Sequence, residues 1–510
     1  MTMTEWFIFF IIIQVIHFLG TWKLYVKAGR QSWEALIPIY NAIVLMKIIN
    51  RPRWWVILLF IPIINLLMFP VIWVETSRSF GKTATVDTFL AVLTLGFYSY
   101  YLNYISDVAY VENRSLKSRT ELGEWVSSIV FAIVAATLVH TYFMQPYTIP
   151  TSSLEKSLLV GDFLFVSKFH YGARAPMTTV AAPMVHDSLP LTKKKSYLNK
   201  PQLPYFRIPG FEKIKRNEIV VFNWPVDTVR FFRDRSNIHI DKPIDKKSNY
   251  VKRCVGIPGD SLEIIDGYIY INGERTILPD RAKPQYYHKV ITNGQMLSAT
   301  TLKRYEVTES NADNTFLNLT DKNASKLRNN PLVKNVTKLI EPKGNFNSSI
   351  FPHDSQYAWS VDNYGPIYIP KSGKTVALNL TSLPFYKRII ETYENNNLTV
   401  NGNEIFINGK LATTYTFKQD YYWMMGDNRH NSEDARYWGY VPFDHVVGKP
   451  VFIWFSWDSS AQGLASKIRW ERVFTTVHGS GKPVSYLYYF LGALLLWFLI
   501  SAYIKRKRAE

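Results

Sequence analysis

Five long apolar stretches stand out along the chain and separate membrane-like segments from water-exposed ones. Each approaches or exceeds the ~18 apolar residues that a helix needs to cross a bilayer. The stretches cover residues 5–22, 54–73, 89–105, 125–143 and 486–504. The third is the weakest, because it is rich in tyrosine and close to the minimum length. The pattern predicts a membrane domain of about three transmembrane helices in residues 1–122, an anchor helix at 123–144 and a last helix in 485–510.

The polar region between the fourth and fifth stretches, residues 145–484, has a different pattern. Short apolar runs separated by Gly, Pro and Asp turns predict β-strands. The clearest runs are residues 160–166, 218–222, 250–255, 264–273 and 447–454. Residues 266–274 are echoed by 402–410, which predicts a repeated hairpin. This region is therefore expected to be mainly β.

Clusters of basic residues predict how the apolar stretches are oriented, because Lys and Arg concentrate in cytoplasmic loops. The clusters are Lys23, Lys27, Arg30, Lys47, Arg51 and Arg53 after the first stretch, Arg114, Lys117 and Arg119 before the fourth, and Lys505, Arg506, Lys507 and Arg508 at the end. Five spans with an outside N-terminus place all three clusters in the cytoplasm. Region 145–484 then faces the exterior.

The net charge of +19 is the remaining compositional signal. A basic chain can bind nucleic acid, but no nucleic-acid motif accompanies the charge. Positive charge beside anionic lipid explains it better, so membrane lipid is an expected partner and nucleic acid is not. The single cysteine, Cys254, rules out an internal disulfide, and no Cys/His cluster has metal-ligand spacing. We expect neither a metal nor another cofactor.

Residues 426–442, GDNRHNSEDARYWGYVP, are the most chemically dense segment of the chain. They follow an aromatic strand-like run and hold carboxylates, arginines, amides and a serine within seventeen positions. Buried charges must be paired and hydrogen-bonded, and this composition can supply the pairing. The segment is consistent with a rigid structural corner or with the wall of an active site.

Two upstream segments favour the active site. Residues 149–168 place a hydroxyl cluster, 151–153, before an apolar run that ends at Gly161-Asp162. Residues 249–263 place Lys252 within an apolar strand, where alternation puts it on the same face as Tyr250 and Cys254. A lysine in such surroundings has a lowered pKa and can accept a proton from a hydroxyl.

In this order, the three segments resemble the conserved boxes of type I signal peptidases, the membrane-bound Ser-Lys proteases that remove signal peptides. The P-S-x-S-M-x-P-T-L-x-x-G-D box is similar to residues 150–162. The Y-x-K-R-x-V-G-x-P-G-D box is similar to 250–260, and the G-D-N-R-x-N-S-x-D-S-R-x-W-G box to 426–439. A weaker strand box matches residues 217–222.

The resemblance implies a role for each matching residue. The nucleophile falls on Ser153, the general base on Lys252, and the serine that holds the base lysine on Ser432. The oxyanion-hole hydroxyl falls on Thr151, which acts with the backbone N–H of Ser153. The charged network that braces the site is Asp427, Asp434 and Arg436. The shallow pockets for small residues at substrate positions −1 and −3 are lined by Ile149, Pro150, Leu154, Tyr250 and Val251.

The chain departs from the family pattern at several positions, but each departure keeps the catalytic groups. Leu154 replaces Met, Lys156 replaces Pro, Ser157 replaces Thr, and Ala435 replaces Ser. Lys156 also creates an S-x-x-K motif with Ser153, as in penicillin-binding proteins and class A β-lactamases, but the downstream partner motifs of those enzymes are missing. His430, within the third box, is expected to be a surface residue.

The implied fold is a signal-peptidase- and repressor-protease-like domain of antiparallel sheets, anchored by transmembrane helices. The implied function is a membrane serine endopeptidase acting on signal-peptide-bearing precursors in the bacterial inner membrane, with the secretion translocon as a further candidate partner. The family boxes are absent between residues 279 and 415, which predicts an insertion there. The alternatives are a catalytically inactive membrane scaffold and a self-cleaving Ser-Lys peptidase of the repressor type.

Overall fold

Two compact units make up the chain. The computed structural model describes residues 2–117, 120–192, 194–229 and 238–509; Arg119 and the side chain of Arg508, both used above for orientation, lie outside the described residues. One unit contains Met1–Phe143, Ala173–Ile208 and Thr228–Lys247, and the other contains Met144–Gly172, Pro209–Asp227 and Ser248–Glu510. Residues 173–208 and 228–247, which the sequence places in the β region, therefore belong to the same unit as the N-terminal helices.

The first unit is built from apolar helices. Its helices are α1 (Met3–Lys27), α2 (Tyr40–Ile48), α3 (Trp55–Leu58), α4 (Ile64–Ser79), α5 (Thr85–Leu93), α6 (Tyr98–Tyr104) and α7 (Glu121–Leu138). In the described part of the chain, three helical segments are long and apolar enough to cross a membrane: Met3–Lys27, Glu121–Phe143 and Leu487–Lys507. They coincide with the first, fourth and fifth apolar stretches.

The second and third apolar stretches do not form single helices. Between α3 and α4, Pro62 is followed by Ile63 at a φ of 70°, and between α5 and α6 lie Leu95 and Gly96 at 52° and 86°. A residue at positive φ cannot continue a right-handed helix, and none of the four pieces reaches the ~18 residues of a span. Gly96 also admits the Trp73 ring, because a Cβ there would lie 2.5 Å from the indole nitrogen. Hydropathy alone could not distinguish these broken segments from continuous spans.

The second unit is mainly β, with short helices between its strands. Its strands are β1 (Met144–Thr148), β2 (Asp162–Ser167), β3 (Ile219–Asn223), β4 (Asn249–Gly256), β5 (Ser261–Ile265), β6 (Tyr268–Ile271), β7 (Glu274–Arg275), β8 (Tyr286–Thr292), β9 (Phe316–Leu319), β10 (Val333–Lys338), β11 (Tyr364–Tyr368), β12 (Thr375–Ala377), β13 (Leu398–Asn401), β14 (Glu404–Ile407), β15 (Lys410–Leu411), β16 (Thr414–Thr416), β17 (Tyr421–Met425), β18 (Val441–Pro442), β19 (Val446–Ser456) and β20 (Thr475–Thr476). Its helices are α8 (Ala299–Arg304), α9 (Asp321–Arg328), α10 (Leu383–Arg388), α11 (Ala435–Trp438), α12 (Leu464–Lys467) and α13 (Leu487–Ala509).

The main sheet runs β1-β2-β19-β3-β4-β17-β18, with β20 added to β19, and its neighbouring strands are antiparallel. It curls into half a barrel, and with the apolar helices this confirms the predicted fold class. The predicted alternation along β4 is also present. Tyr250 and Cys254 pack in a cluster with Phe222, whereas Val251 packs in another cluster with Ile149.

Smaller sheets fill residues 261–416. Strands β5–β7 and β13–β15 form two similar three-stranded meanders, which confirms the repeated hairpin. Strands β8, β9 and β10 form a sheet in the order β10-β8-β9, and its core includes Leu327 of helix α9. The segment predicted as an insertion is thus a folded part of the second unit.

Candidate active site

Ser153 lies in a tight turn, Ser152–Leu154, that we call the Ser153 turn. The segment before it is held in place because Ile149 exchanges backbone hydrogen bonds with Gly161 and Asp162, each 2.9 Å long. Leu154 anchors the turn in the core at 1% exposure. The turn packs against strand β4, and Ser153 is buried there.

Lys252 lies on β4 opposite Val220 of β3, and only 4% of it is exposed. Burial lowers the pKa of its ammonium group to about 8, although the nearby carboxylates of Asp434 and Glu433 oppose the shift. Its Nζ lies 5.8 Å from the centre of the Tyr250 ring. Within the described residues, Nζ forms no ion pair and no hydrogen bond. A buried amine in this state is suited to accept a proton.

Arg253, the next residue on β4, forms a buried ion pair with Asp427. Its Nε donates to Asp427 Oδ1 at 2.8 Å and its second terminal nitrogen to Oδ2 at 2.5 Å. The hydroxyl of Ser157 donates to the same carboxylate at 2.5 Å. Burial alone would raise the pKa of Asp427, but the charge and hydrogen bonds of Arg253 lower it overall.

Asp434 and Arg436 form a second buried pair within residues 426–442. Two nitrogens of Arg436 donate to the two oxygens of Asp434, each at 2.8 Å, and the N–H of Gly426 donates to Asp434 at 3.1 Å. Arg436 also donates to the backbone carbonyl of Arg429 at 2.6 Å. The segment is therefore braced by one internal charge pair, as its composition predicts, whereas Asp427 pairs with Arg253 of β4.

Gly426 sits where this braced segment meets the Ser153 turn. A Cβ at position 426 would lie 2.2 Å from Ser432 Oγ and 2.5 Å from the carbonyl oxygen of Ser153. No other residue allows this approach. The Ser432 hydroxyl is buried and has no hydrogen-bond partner among the described residues. The bond from this serine to Lys252 that the resemblance implies is thus not formed in this structure.

The remaining predicted site residues divide between two places. Ile149, Leu154 and Val251 lie in one apolar cluster beside the Ser153 turn. Tyr250 lies on the other face of β4, where its ring stacks on Trp224 at 5.0 Å. The side chains of Thr151 and Pro150 are exposed next to the turn, and Thr151 is extended, at φ −137° and ψ 155°.

The structure does not place Lys156 on a helix with Ser153, and it does not place His430 on the surface. The turn ends at Leu154 and Lys156 has a φ of 66°, so Ser153 and Lys156 do not share a helix. The prediction that His430 is a surface residue is wrong, because its side chain is 10% exposed. Its Nε2 donates to Asp362 at 2.9 Å, and its Nδ1 accepts the N–H of Tyr287 at 2.9 Å.

The region predicted as an insertion contributes contacts that the sequence did not reveal. The backbone of Gln285 pairs with residues 427–429, as its N–H donates to the Asp427 carbonyl at 2.7 Å and its carbonyl accepts from Arg429 at 3.0 Å. Glu309 accepts a hydrogen bond from Ser152 Oγ at 3.0 Å, across 157 positions of sequence. These residues belong to no motif, so no local signal could have identified them.

The part of the chain that holds these residues matches a known protein family. The family described as "Signal peptidase, peptidase S26" matches residues 122–334 and 366–457, which is more than half of the chain. The chain belongs to the signal peptidase S26 family. It is accordingly a serine peptidase, with signal-peptide-bearing precursors as its substrate class. A family of unknown function, DUF5684, matches residues 33–113.

Similar proteins in bacteria are named signal peptidase I. The protein from Buchnera aphidicola of Acyrthosiphon pisum is 24% identical over 405 residues, covering 76% of this chain and 97% of its own. That of Helicobacter pylori is 25% identical over 371 residues, covering 70% and 94%. That of Haemophilus influenzae is 22% identical over 376 residues, covering 72% and 79%. The similarity to signal peptidases therefore extends over most of each relative.

Proposed function

We propose that this signal peptidase is a membrane-bound endopeptidase that cleaves exported precursors with Ser153 as nucleophile and Lys252 as general base. One observation carries the proposal. A lysine that is 4% exposed, with a pKa lowered to about 8 and no ion-pair partner among the described residues, lies on the strand against which the Ser153 turn packs. Few structural roles require a buried amine in this condition.

The chemistry follows in two steps. Neutral Lys252 takes the proton of Ser153 while Oγ attacks the carbonyl carbon of the scissile bond, and the Thr151 hydroxyl and the Ser153 N–H stabilise the oxyanion. Collapse of this intermediate breaks the C–N bond. The leaving amine receives the proton from Lys252, which leaves the signal peptide as an ester on Ser153. Water, deprotonated by the same lysine, then hydrolyses the ester and restores the enzyme.

The edge of the main sheet offers a place for the extended precursor. Strand β1 is the terminal strand of its sheet and leads directly into the Ser153 turn. A peptide added to such an edge gains backbone hydrogen bonds. The adjacent cluster of Ile149, Leu154 and Val251 is apolar and suits small residues at positions −1 and −3.

We further propose that the enzyme is a multi-pass protein of the bacterial cytoplasmic membrane, with its β unit on the outer side. The basic clusters support this orientation. A contact within the first unit also supports it, since Trp6 at the start of α1 donates a hydrogen bond to the Gln202 carbonyl at 2.9 Å. Residue 202 lies in the part of the polar region that belongs to the first unit, so the N-terminus and residues 173–208 would share one side. Lipid and the translocon are the proposed neighbours there.

Cleavage of a precursor with an Ala-x-Ala site by the detergent-solubilised full chain tests the proposal. Wild type would be compared with Ser153→Ala and Lys252→Met, and with Lys156→Met as the matched lysine control. We expect cleavage by wild type and by Lys156→Met, and none by the other two variants. Activity in Lys252→Met would contradict the assigned base.

The same assay separates the alternatives. Cleavage of the enzyme's own chain without cleavage of the precursor would favour a self-cleaving peptidase of the repressor type. A wild-type protein that cleaves neither would favour a membrane scaffold. Loss of activity in Lys156→Met alone would favour the S-x-x-K mechanism.

A further inference from the structure

Glu309 joins three separate parts of the second unit through one carboxylate. It lies between helix α8 and strand β9, within the region predicted as an insertion. Its Oε1 accepts hydrogen bonds from Ser152 Oγ at 3.0 Å, Asn428 Nδ2 at 3.0 Å and Asn431 Nδ2 at 2.8 Å. Its Oε2 accepts from the Tyr287 hydroxyl at 3.1 Å and Asn318 Nδ2 at 3.4 Å.

These bonds reach the backbone of the Ser153 turn through Asn428. The Asn428 side chain donates to the Ser152 carbonyl at 3.2 Å, and its N–H donates to the Ser153 carbonyl at 3.0 Å. Asn428 is completely buried, and its Oδ1 accepts from Asn318 at 2.9 Å. Glu309 therefore holds the Ser152 side chain of the Ser153 turn. Asn428, which Glu309 orients, holds the carbonyls of Ser152 and Ser153.

The partners of Glu309 suit a positioning role. No Lys, Arg or His forms an ion pair with Glu309 in the described part of the chain, so its charge is balanced by neutral donors alone. Hydrogen bonds to an ionised acceptor are stronger than neutral ones, and the five donors that converge on this carboxylate restrain the segments that carry them. A displacement of about 1 Å at a reacting group can lower a rate by about a hundredfold. The position of Ser153 thus depends on a residue that is remote in sequence.

We propose that Glu309 is a positioning residue for the nucleophile, supplied by the 279–415 region. It fixes the Ser153 turn so that Ser153 Oγ and the Ser153 N–H keep their directions relative to Lys252. This inference rests on the proposed function and extends it, because it gives the region between the family boxes a part in catalysis.

The test uses the full chain in detergent and two variants, Glu309→Ala and Glu309→Gln. Glu394→Ala is the matched control, since Glu394 is also a hub that accepts from Tyr421 OH and Lys418 N, each at 2.9 Å, but contacts no residue of the turn in the structure. The measurements are kcat and KM for the precursor, and amide hydrogen exchange in peptides covering 149–158 and 426–431.

We expect Glu309→Ala to lower kcat by about ten- to a hundredfold with KM within threefold, and to speed exchange in both peptides. Glu309→Gln keeps an oxygen at the Oε1 position and should recover most of kcat. Glu394→Ala should lower the melting temperature while leaving the kcat of folded enzyme and the exchange of both peptides unchanged.

Two results would overturn the inference while the proposed function stands: an active wild type with unchanged kcat in Glu309→Ala, or exchange that is no faster than in wild type. Should Glu309→Ala not fold, Ser152→Ala removes only the turn-side hydroxyl and should still lower kcat and speed exchange; no change in either would also overturn it. An inert wild type would instead refute the proposed function. Amide hydrogen exchange in the two peptides would still show whether Glu309 holds the Ser153 turn in place.

Discussion

The two faces of strand β4 treat neighbouring cations in opposite ways. Lys252 and Arg253 are consecutive and almost equally buried, at 4% and 3% exposure. Arg253 forms two hydrogen bonds with the carboxylate of Asp427, at 2.8 and 2.5 Å. Lys252 has no carboxylate within ion-pair distance in the described residues, and its pKa falls to about 8. Equal burial therefore accompanies an ion pair on one face and an amine with a lowered pKa on the other.

The difference teaches that partner placement, and not burial, decides what a buried cation does. Burying an ion pair costs desolvation free energy, but the pair is held rigidly once both ions are hydrogen-bonded. Removing one partner leaves the other charge buried and unpaired. Burial of an unpaired lysine disfavours its charged form, so its pKa falls until the neutral amine is populated near neutral pH. The paired face fixes the site, and the unpaired face can carry out chemistry.

Exchanging each cation for methionine tests this contrast most strongly. Lys252→Met should abolish cleavage, by about ten-thousandfold or more, while stability stays unchanged or rises, because a desolvated amine is replaced by an apolar chain of similar length. Arg253→Met should lower the free energy of unfolding by about 3–5 kcal/mol, because Asp427 is left buried and unpaired. Precursor cleavage and thermal unfolding in detergent measure both. Equal destabilisation in the two variants would contradict the comparison.

Cleavage should also depend on a hydroxyl next to the Ser153 turn that takes no part in the Arg253–Asp427 pair. Thr151→Val removes the oxyanion donor proposed beside the Ser153 turn and should lower kcat by about a hundred- to a thousandfold. The threonine is exposed, so the melting temperature should hardly change. Thr151→Ser keeps the hydroxyl and serves as the control, with kcat close to wild type. Full activity in Thr151→Val would remove this residue from the mechanism.

Two serines, one hydrogen-bonded to Asp427 and one without a partner in the described residues, allow a smaller version of the same contrast. Ser432 Oγ has no partner in the described residues, whereas Ser157 Oγ donates to Asp427 at 2.5 Å. Ser432→Ala should therefore leave the free energy of unfolding unchanged, because no hydrogen bond among the described residues is lost. It should lower kcat by about tenfold, because the serine is proposed to orient Lys252 during the reaction. Ser157→Ala should lower stability by about 1–3 kcal/mol with kcat retained in the folded fraction. The reverse assignment of effects would show that Ser432 has a structural role.

The sequence predicted much of this site because its chemistry lies in short motifs. Alternation along β4 correctly separated Tyr250 and Cys254 from Val251, and the composition of 426–442 predicted the internal pair of Asp434 and Arg436. Strand runs and the repeated hairpin were also visible, since each depends on residues that are near one another in the chain. The catalytic roles of Ser153, Lys252, Thr151 and Ser432 stay predictions until variants are measured.

What the sequence could not predict depends on distant contacts or on local backbone breaks. Glu309 meets Ser152 only after folding, across 157 positions, so no window of sequence contains both. His430 gave no sign of burial, because its partner Asp362 lies 68 positions away. Two apolar stretches had the composition of spans, but left-handed residues at Ile63 and Leu95 divide each into two helices.

The pH dependence of cleavage gives the finest test of the unpaired face. The base must be neutral, so kcat/KM should rise with pH and level off above an apparent pKa near 8, the value to which burial lowers Lys252. The negative charge of Glu433 favours the protonated amine. Glu433→Gln should therefore move this acidic limb to lower pH by a fraction of a unit, since an exposed carboxylate is screened by solvent.

Glu404→Gln, which neutralises an exposed carboxylate on β14, should leave the limb in place. The pH profiles of kcat/KM for wild type and the two variants provide the measurement. A limb near pH 6 in wild type would mean that burial lowers the pKa of Lys252 well below 8, and that the nearby carboxylates oppose this shift only weakly. A limb unmoved in Glu433→Gln would leave Asp434 and Asp427, which are paired with Arg436 and Arg253, as the carboxylates that hold the pKa of this lysine as high as about 8.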